Sequence, residues 1–467
     1  VSTEIEKQEI DVTQFAQSLG GMHTTYEVPP LTRPRFYLSV GQKFAIALVF
    51  ALGWLGFSIW ISIPWIKSLA THVTLPVSII IISLLAFLPG FIVALLFAAL
   101  VLDRQPGFKV TDPTESVSVL IAALNEEEVI AATLESLAEQ DYRGSCRVIL
   151  IDNGSTDNTV DVARSTATNI GLNLTILSEE TKGKSHALNR GLEEVTSELL
   201  ITVDADTLLQ RSAIRLLVAR LESSPSNVAA VAGCVLVRNT RNSFWSKLQT
   251  WDYFLGIASV KRMQGLFQST LVAQGAFSLY RTKALRSVDG WPDAIGEDIV
   301  LTWKIMQDGS PIYFEPMAVS FTTVPEGLKV FARQRSRWAR GMIEGLQTVP
   351  PWRQQKGLAR VFTALDVAIP FLDTAYILIW IPGLILAFFG YFWIVGPMTI
   401  AVLPLTLCVY ALLYHYQNKR VFKPLGLRVR RGRMSFFLFV VIYQTFMSTF
   451  SVIGYFQALT RRRRTWK

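Results

Sequence analysis

Apolar residues are distributed in two different ways along this chain. Toward both ends they form long unbroken runs, near 44–64, 77–101, 374–391, 396–416 and 434–459, whereas between about 112 and 345 they come as short runs separated by amphipathic stretches. The long runs approach the roughly 20 residues that a helix needs to cross a hydrocarbon core. The first begins too far into the chain for a signal peptide and is followed directly by a second. Residues 1–42 are polar, with Pro29, Pro30 and Pro34, and read as an exposed tail. Arg33, Arg35 and Lys43 precede the first pair of runs and Arg104 and Lys109 follow it, so the excess of positive charge expected on the inner side places tail and central region together in the cytoplasm. The stretch 346–373 mixes apolar positions with Arg353, Lys356, Arg360 and Asp366, a pattern suited to lying in the membrane interface. Beyond two further crossings, Lys419, Arg420, Arg428, Arg430 and Arg431 return to the inside. The last run has arginines at both ends, which leaves two readings open: a final span against the charge bias, or a segment that dips and returns.

The expected division is therefore a tail (1–42), two spanning helices (43–103), a cytoplasmic domain (104–345), interfacial helices (346–373), two or three membrane segments (374–459) and a basic C-terminal tail (460–467). Within the domain, apolar runs at Ser116–Leu124, Val148–Ile151, Leu172–Leu177 and Leu199–Val203 alternate with helical patterns. That alternation predicts an α/β fold, a mostly parallel sheet with helices on both faces. Ligands of such sheets sit beyond the carboxyl ends of the strands, so the polar residues that close each apolar run are where chemistry is expected.

Composition narrows the class. The chain is 51% hydrophobic and 17% charged over 467 residues, with positive mean hydropathy, which fits an integral protein of the plasma (inner) membrane. Its net charge of +9 gathers beside apolar runs and in Arg461, Arg462, Arg463 and Arg464, pointing to anionic lipid and an anionic substrate and not to nucleic acid. Cys146, Cys234 and Cys408 are too scattered for a disulfide framework or a metal cluster.

Four strand ends and one helix carry candidate chemistry. Asp152 opens the turn Asp152-Asn153-Gly154-Ser155-Thr156-Asp157, where a carboxylate can accept hydrogen bonds from a base or ribose and Asp157 can cap the next helix; a plain strand-to-helix turn has the same look. Lys182-Gly183-Lys184 precedes a helix, with a glycine that admits an anion and lysines that attract it, or else a solvated basic face. Asp204-Ala205-Asp206 closes an apolar strand. Two carboxylates so placed repel each other unless a divalent cation, Mg²⁺ or Mn²⁺, joins them to substrate phosphates. Glu297-Asp298 opens a predicted helix, either complementing its dipole or supplying a general base, with nothing in the residues to say which carboxylate. Gln334-Arg335-Ser336-Arg337-Trp338 lies on a helix leading to the membrane. There Arg337 can meet a leaving diphosphate and Trp338 can stack a sugar ring, or the pair can form an interfacial girdle.

In this order, Asp152, Asp204-Ala205-Asp206, Glu297-Asp298 and Gln334-x-x-Arg337-Trp338 resemble the membrane-integrated family-2 glycosyltransferases, the processive synthases of cellulose, chitin, hyaluronan and poly-N-acetylglucosamine. The resemblance covers about 112–345 and extends to the flanking spans. It implies a GT-A fold, with Asp152 near uridine, Asp204 and Asp206 at the diphosphate and metal, Asp298 as base, and Gln334, Arg337 and Trp338 holding the diphosphate and the acceptor end. Inversion at the anomeric carbon would then give β-links. Arg238-Asn239-Thr240-Arg241-Asn242, Gly275-Ala276-Phe277 and Val324-Pro325-Glu326 look most like the poly-β-1,6-N-acetylglucosamine synthase branch, while Asn153 replaces the second Asp of the family's D-D-G-S turn. The implied partners are a UDP-sugar, a growing polysaccharide, the bilayer and a small membrane or secretion subunit. Competing readings are a UDP-glucose-dependent glucan synthase, a transferase acting once on a lipid carrier, and a transporter or sensor with a degenerate nucleotide-sugar domain.

Overall fold

The computed structural model describes residues 22–28, 38–395, 398–428 and 432–460. The proline stretch of the tail, Arg33 and Arg35, Arg430 and Arg431, and the terminal arginines lie outside the described residues. The short described piece of the tail is docked on the domain. The Arg211 N–H donates to the Met22 carbonyl (2.9 Å), Gln210 Nε2 to the Thr24 carbonyl (2.6 Å) and the Tyr26 N–H to Ser212 Oγ (2.9 Å). Its polar composition concealed this, because backbone groups make most of the bonds.

Helix α1 (Val40–Ala70) opens on a capping box in which Ser39 and Gln42 satisfy each other's backbone N–H. It packs against α2 (Leu75–Val101). Among the described residues these two and two later helical runs, Leu358–Phe388 and Arg433–Leu459, are long and apolar enough to cross a membrane, as a multi-pass membrane protein requires. A further helix spans Met398–Gln417. The run Leu358–Phe388 begins inside the stretch expected to lie in the interface and continues through the span expected from 374, interrupted by a turn at Val367–Ala368 just before Pro370. One of the charges that suggested an interface is bound locally, since Arg360 donates to the Gln354 carbonyl (2.6 Å).

The domain is built on an eight-stranded sheet in the order β3-β2-β1-β4-β7-β6-β8-β5. β1 (Val117–Ala123), β2 (Cys146–Asp152), β3 (Leu174–Ser178) and β4 (Leu199–Val203) are mutually parallel, as the alternating pattern predicts. Beyond β4 the sheet is mixed: β7 (Phe277–Arg281) runs antiparallel to both β4 and β6 (Ala230–Val237), and β5 (Leu208–Leu209) antiparallel to β8 (Ile312–Thr322). The reversal puts the start of β7 beside the end of β4, Phe277 opposite Val203. Both faces are covered. Val117, Val119 and Ile121 of β1 enter one core and Leu120 the other, the period-two division expected of a fully buried strand.

Membrane helices and domain are joined by a buried ion pair. Asp103, just past α2, accepts from Arg262 Nε at 2.5 Å, and their side chains are 1% and 8% exposed. Tyr416, near the end of the helix Met398–Gln417, hydrogen-bonds Asp103 and lies with its ring 4.7 Å from the guanidinium. Three segments distant in sequence meet at this point. Arg262→Met takes the guanidinium from the buried Asp103 and leaves it the Tyr416 hydroxyl and the nearby charge of Lys43, so it is expected to cost up to about 3–5 kcal/mol of stability. Asp103→Asn combined with it should recover part of that loss, as read from thermal unfolding of the detergent-solubilised chain.

Candidate active site

The parallel strands end on one edge of the sheet, and the candidate residues collect there. Asp152, the last residue of β2, accepts the Ser155 N–H (3.2 Å) across Gly154, whose φ of 83° is a left-handed conformation suited to glycine. Asn153 points the other way and is 1% exposed. Its amide donates to the carbonyls of Glu179 (3.0 Å) and Thr181 (2.8 Å) and accepts the Gly183 N–H (2.8 Å). A carboxylate cannot make those two donations, so the departure from the D-D-G-S turn braces the loop that leads to Lys184. The N-cap of the helix that follows is Asn158, one residue after the expected Asp157. Asp157 accepts from Thr159 N (3.1 Å) and from Glu127 N (3.2 Å), which pins two neighbouring loops together.

Lys184 begins helix α3 (Lys184–Glu193) and reaches back across the edge to pair with Asp204. Burial disfavours its charge, but Asp204, Glu297 and Asp298 around it outweigh that and raise its pKa. The close approach needs a bare backbone opposite, because a Cβ on Gly275 would stand 2.8 Å from Lys184 Nζ. The antiparallel β7 supplies that backbone: the loop before it gives the Ala276 carbonyl to the Asp204 N–H (3.3 Å). Asp206 accepts from Thr322 Oγ1 (3.1 Å). Burial, reinforced by Asp204, pushes its carboxyl up to about 6.

Glu297 and Asp298 open helix α4 (Glu297–Gln307). Burial and then the adjacent Asp298 push the Glu297 carboxyl up to about 7, against the pull of Lys184 and Arg337. The helix start is fixed by a glycine-on-glycine contact: a Cβ on either Gly296 or Gly341 would lie 2.7 Å from the other's Cα. Gly341 belongs to helix α5 (Leu328–Thr348), which carries Gln334, Arg337 and Trp338. Arg337 is exposed and close enough to act on Glu297 electrostatically. Trp338 is 36% exposed and lines a cavity of about 330 Å³ shared with the membrane helices. Gln334 Oε1 is buried and makes no hydrogen bond.

Lys184, Asp204, Asp206, Glu297 and Asp298 thus form one cluster, with Arg337 and Trp338 on the helix that abuts it and Asp152 two strands away along the same edge. No group of three or more His, Cys, Asp or Glu side chains that could hold a metal is found among the described residues. Two carboxylates, one of them buried and protonating near 6, nonetheless fit a hard divalent cation that completes its shell with phosphate oxygens and water. They do not fit a closed zinc site. Two residues lay outside the sequence-based candidates. Arg238, directly after β6, is 9% exposed, feels the charge of Asp206 and has an unpartnered Nη1; the strand-end rule applied to β6 would have found it. Arg335 is buried against Trp338, and its i, i+3 spacing from that residue was the available signal.

Residues 113–341 match the family model described as glycosyltransferase-like family 2. The chain is 33% identical over 246 residues to the poly-beta-1,6-N-acetyl-D-glucosamine synthase of Staphylococcus aureus (strain COL), covering 52% of this chain and 58% of the relative. To the protein of that name in Staphylococcus epidermidis it is 34% identical over 233 residues, covering 50% and 56%. The match spans less than two thirds of these relatives. Among solved structures, the mannosyltransferase PcManGT from Pyrobaculum calidifontis, in complex with GDP-Man and Mn²⁺, superposes with a TM-score of 0.52 at 20% identity, covering 90% of this chain and 100% of that one. The shared fold is that of a GT-A α/β domain with apolar helices flanking it.

The crowding at Glu297 has a thermodynamic sign. Its folded pKa of about 7 lies above the ordinary 4.5, so from about pH 4.5 to 7 the folded state holds a proton that the unfolded state has released, and stability falls as pH rises. Glu297→Gln removes that loss. Without metal or donor, its thermal midpoint should match the parent's near pH 4.5, exceed it increasingly up to pH 7 and keep a constant lead above.

Proposed function

This chain belongs, through residues 113–341, to the family-2 glycosyltransferases, and from that premise we propose that it is an inverting, processive β-glycosyltransferase that elongates a polysaccharide from a UDP-sugar and passes it across the membrane. The carrying observation is the placement of the carboxylate cluster around Lys184 against the helix whose Trp338 opens onto the cavity. The similarity to poly-beta-1,6-N-acetyl-D-glucosamine synthases supports UDP-N-acetylglucosamine as donor.

In this reading Asp152 faces the nucleoside, and Lys184, Gln334 and Arg337 meet the diphosphate. Asp204 and Asp206 hold Mg²⁺ or Mn²⁺, which when bound neutralises the diphosphate charge. Trp338 stacks the terminal sugar of the acceptor so that its hydroxyl faces the anomeric carbon. Asp298 takes the hydroxyl proton as the new C1–O bond forms and the bond from C1 to the phosphate oxygen breaks, the electron pair leaving with UDP. Glu297, held partly protonated beside it, keeps a second negative charge from building up next to the base. Attack opposite the leaving group inverts C1, so an α-linked donor gives a β-linked product. Lys184 and Arg337 are the cations that receive the charge released on UDP.

Beyond Trp338 the membrane helices line the cavity with the apolar Ile369 and Met447 and with the polar Asp366, Asp373, Gln444, Ser451 and Tyr455. Such polar groups suit the hydroxyls of a sugar chain that cannot enter lipid unaided. This lining favours a polymer over a single transfer to a lipid carrier. A small membrane or secretion subunit is the further partner this export reading calls for.

The test is turnover by the purified chain with Mg²⁺ or Mn²⁺ and either UDP-N-acetylglucosamine or UDP-glucose, with the product digested by linkage-specific hydrolases. An aminosugar polymer is the expected result. A glucose polymer would replace the donor, and a product of one sugar on lipid would remove the synthase reading. Asp298→Asn should lower turnover by roughly 10² to 10⁴-fold with donor binding retained, as expected for loss of a general base; unchanged turnover would move the base elsewhere.

A further inference from the structure

Arg335 is among the most buried side chains of the domain, 2% exposed, and it is charged. Its guanidinium carbon lies 4.2 Å from the centroid of the Trp338 ring, with the rings of Phe331 at 5.1 Å and Tyr253 at 5.9 Å. Nη2 pairs with Asp252 at 3.3 Å and donates to Gln249 Oε1 at 3.4 Å, while Nε makes no hydrogen bond. Asp252 sits in a π-turn, Asp252–Ile257, that follows the helix Phe244–Trp251. Its other interaction is across to the membrane helices, where Tyr443 OH donates to Asp252 Oδ2 at 2.8 Å. A continuous line of contacts therefore runs from the helix Arg433–Leu459 through Asp252 and Arg335 to Trp338.

A buried ion pair is a poor device for stability, because well-packed apolar side chains of similar volume do as well or better. What a guanidinium offers here is a flat cation that holds an aromatic ring at a fixed face and distance, an interaction strengthened by exclusion of water. Trp338 needs such a hold. It is 36% exposed at the cavity, and its neighbour Tyr253 stands off at 6.3 Å and 52°, too tilted to stack.

We propose that Arg335 is the positioning residue of the acceptor platform: clamped by Asp252 and Tyr443, it sets the orientation of the Trp338 ring on which the growing chain rests. The proposal stands on the reading of Trp338 as that platform. It makes acceptor binding, and not donor binding, depend on a buried residue that pairs with Asp252 and not with the carboxylates around Lys184, and it ties that binding to a helix that lines the cavity.

The experiment uses the full chain in detergent with Arg335→Lys, which keeps a charge for Asp252 but not the plane, and Arg335→Met combined with Asp252→Asn, which removes both charges without leaving either unpaired. Trp338→Ala is carried in parallel. Donor KM, KM for short oligomers harvested from the enzyme's own product, product length and thermal midpoint are measured for each. Both Arg335 variants are expected to raise the oligomer KM roughly tenfold, about the size of a water-excluded cation–π contact, and to shorten the product while donor KM stays within about twofold. Donor and oligomer KM rising together with a fallen thermal midpoint would show a merely structural residue and overturn the proposal, as would an unchanged oligomer KM and product length. If Trp338→Ala alone impairs oligomer use, the platform stands and the role of Arg335 falls. If Trp338→Ala leaves it unchanged, the platform itself falls.

Discussion

Four carboxylates, Asp204, Asp206, Glu297 and Asp298, crowd around the half-buried ammonium of Lys184, with the buried Lys261 near Asp298, and the rest of the domain can be understood as what makes that crowding tolerable. In a folded protein without ligands such a cluster is under-neutralised, and the groups respond as electrostatics requires: the Asp206 and Glu297 carboxyls are pushed toward neutral pH and Lys184 holds its proton more tightly. A site poised in this way gains most from substrates that bring positive charge, or a metal-bound diphosphate, into it. The geometry that creates the crowding is the mixed sheet. A wholly parallel sheet would carry the start of β7 to the opposite edge, away from the end of β4, and Gly275 would not face Lys184.

The second constraint is attachment. The domain does not hang from its membrane helices by flexible linkers but is fastened by charges hidden from water: Asp103 with Arg262 and Tyr416, and Lys43 Nζ donating to the Arg104 carbonyl (2.8 Å). Helix α5 is packed along its length by the helix Arg433–Leu459. Ser336 Oγ donates to the Phe450 carbonyl (2.8 Å), Phe331 meets Phe450 edge-on at 5.9 Å, and Gly454 is small enough to admit the Ser336 carbonyl.

Much of this was legible in the sequence, and the parts that were not share a reason. Strand–helix alternation, carboxylates at strand ends and an acidic pair at a helix start are local patterns, so the parallel half of the sheet, then Asp152, Asp204 and Asp206, and then Glu297 and Asp298 could be singled out in order. Direction is not local. The run Phe277–Arg281 is apolar whichever way it travels, and only its pairing with Val203 reveals that it is reversed. Partnership is not local either. Arg335 stands in the Gln334–Trp338 cluster without a role of its own in the sequence reading, because Asp252 and Tyr443, which bury it, are far away in sequence. Asn153 read as a departure from the family's turn because its partners, Glu179, Thr181 and Gly183, lie in the next loop.

Charged residues in apolar surroundings mislead in one further way. Arg360 and Asp366 argued for a segment lying at the membrane surface, since isolated charges in a spanning helix are costly. In the fold each has a specific surrounding: Arg360 donates to a carbonyl of the loop before its helix, and Asp366 lines the cavity it shares with Asp373 and Trp338. A charge inside an apolar run is therefore informative about what it faces before it is informative about depth. Here the two carboxylates of one helix line a cavity shared with Trp338 of the catalytic domain, and that location, more than the count of apolar residues, says what the helix faces.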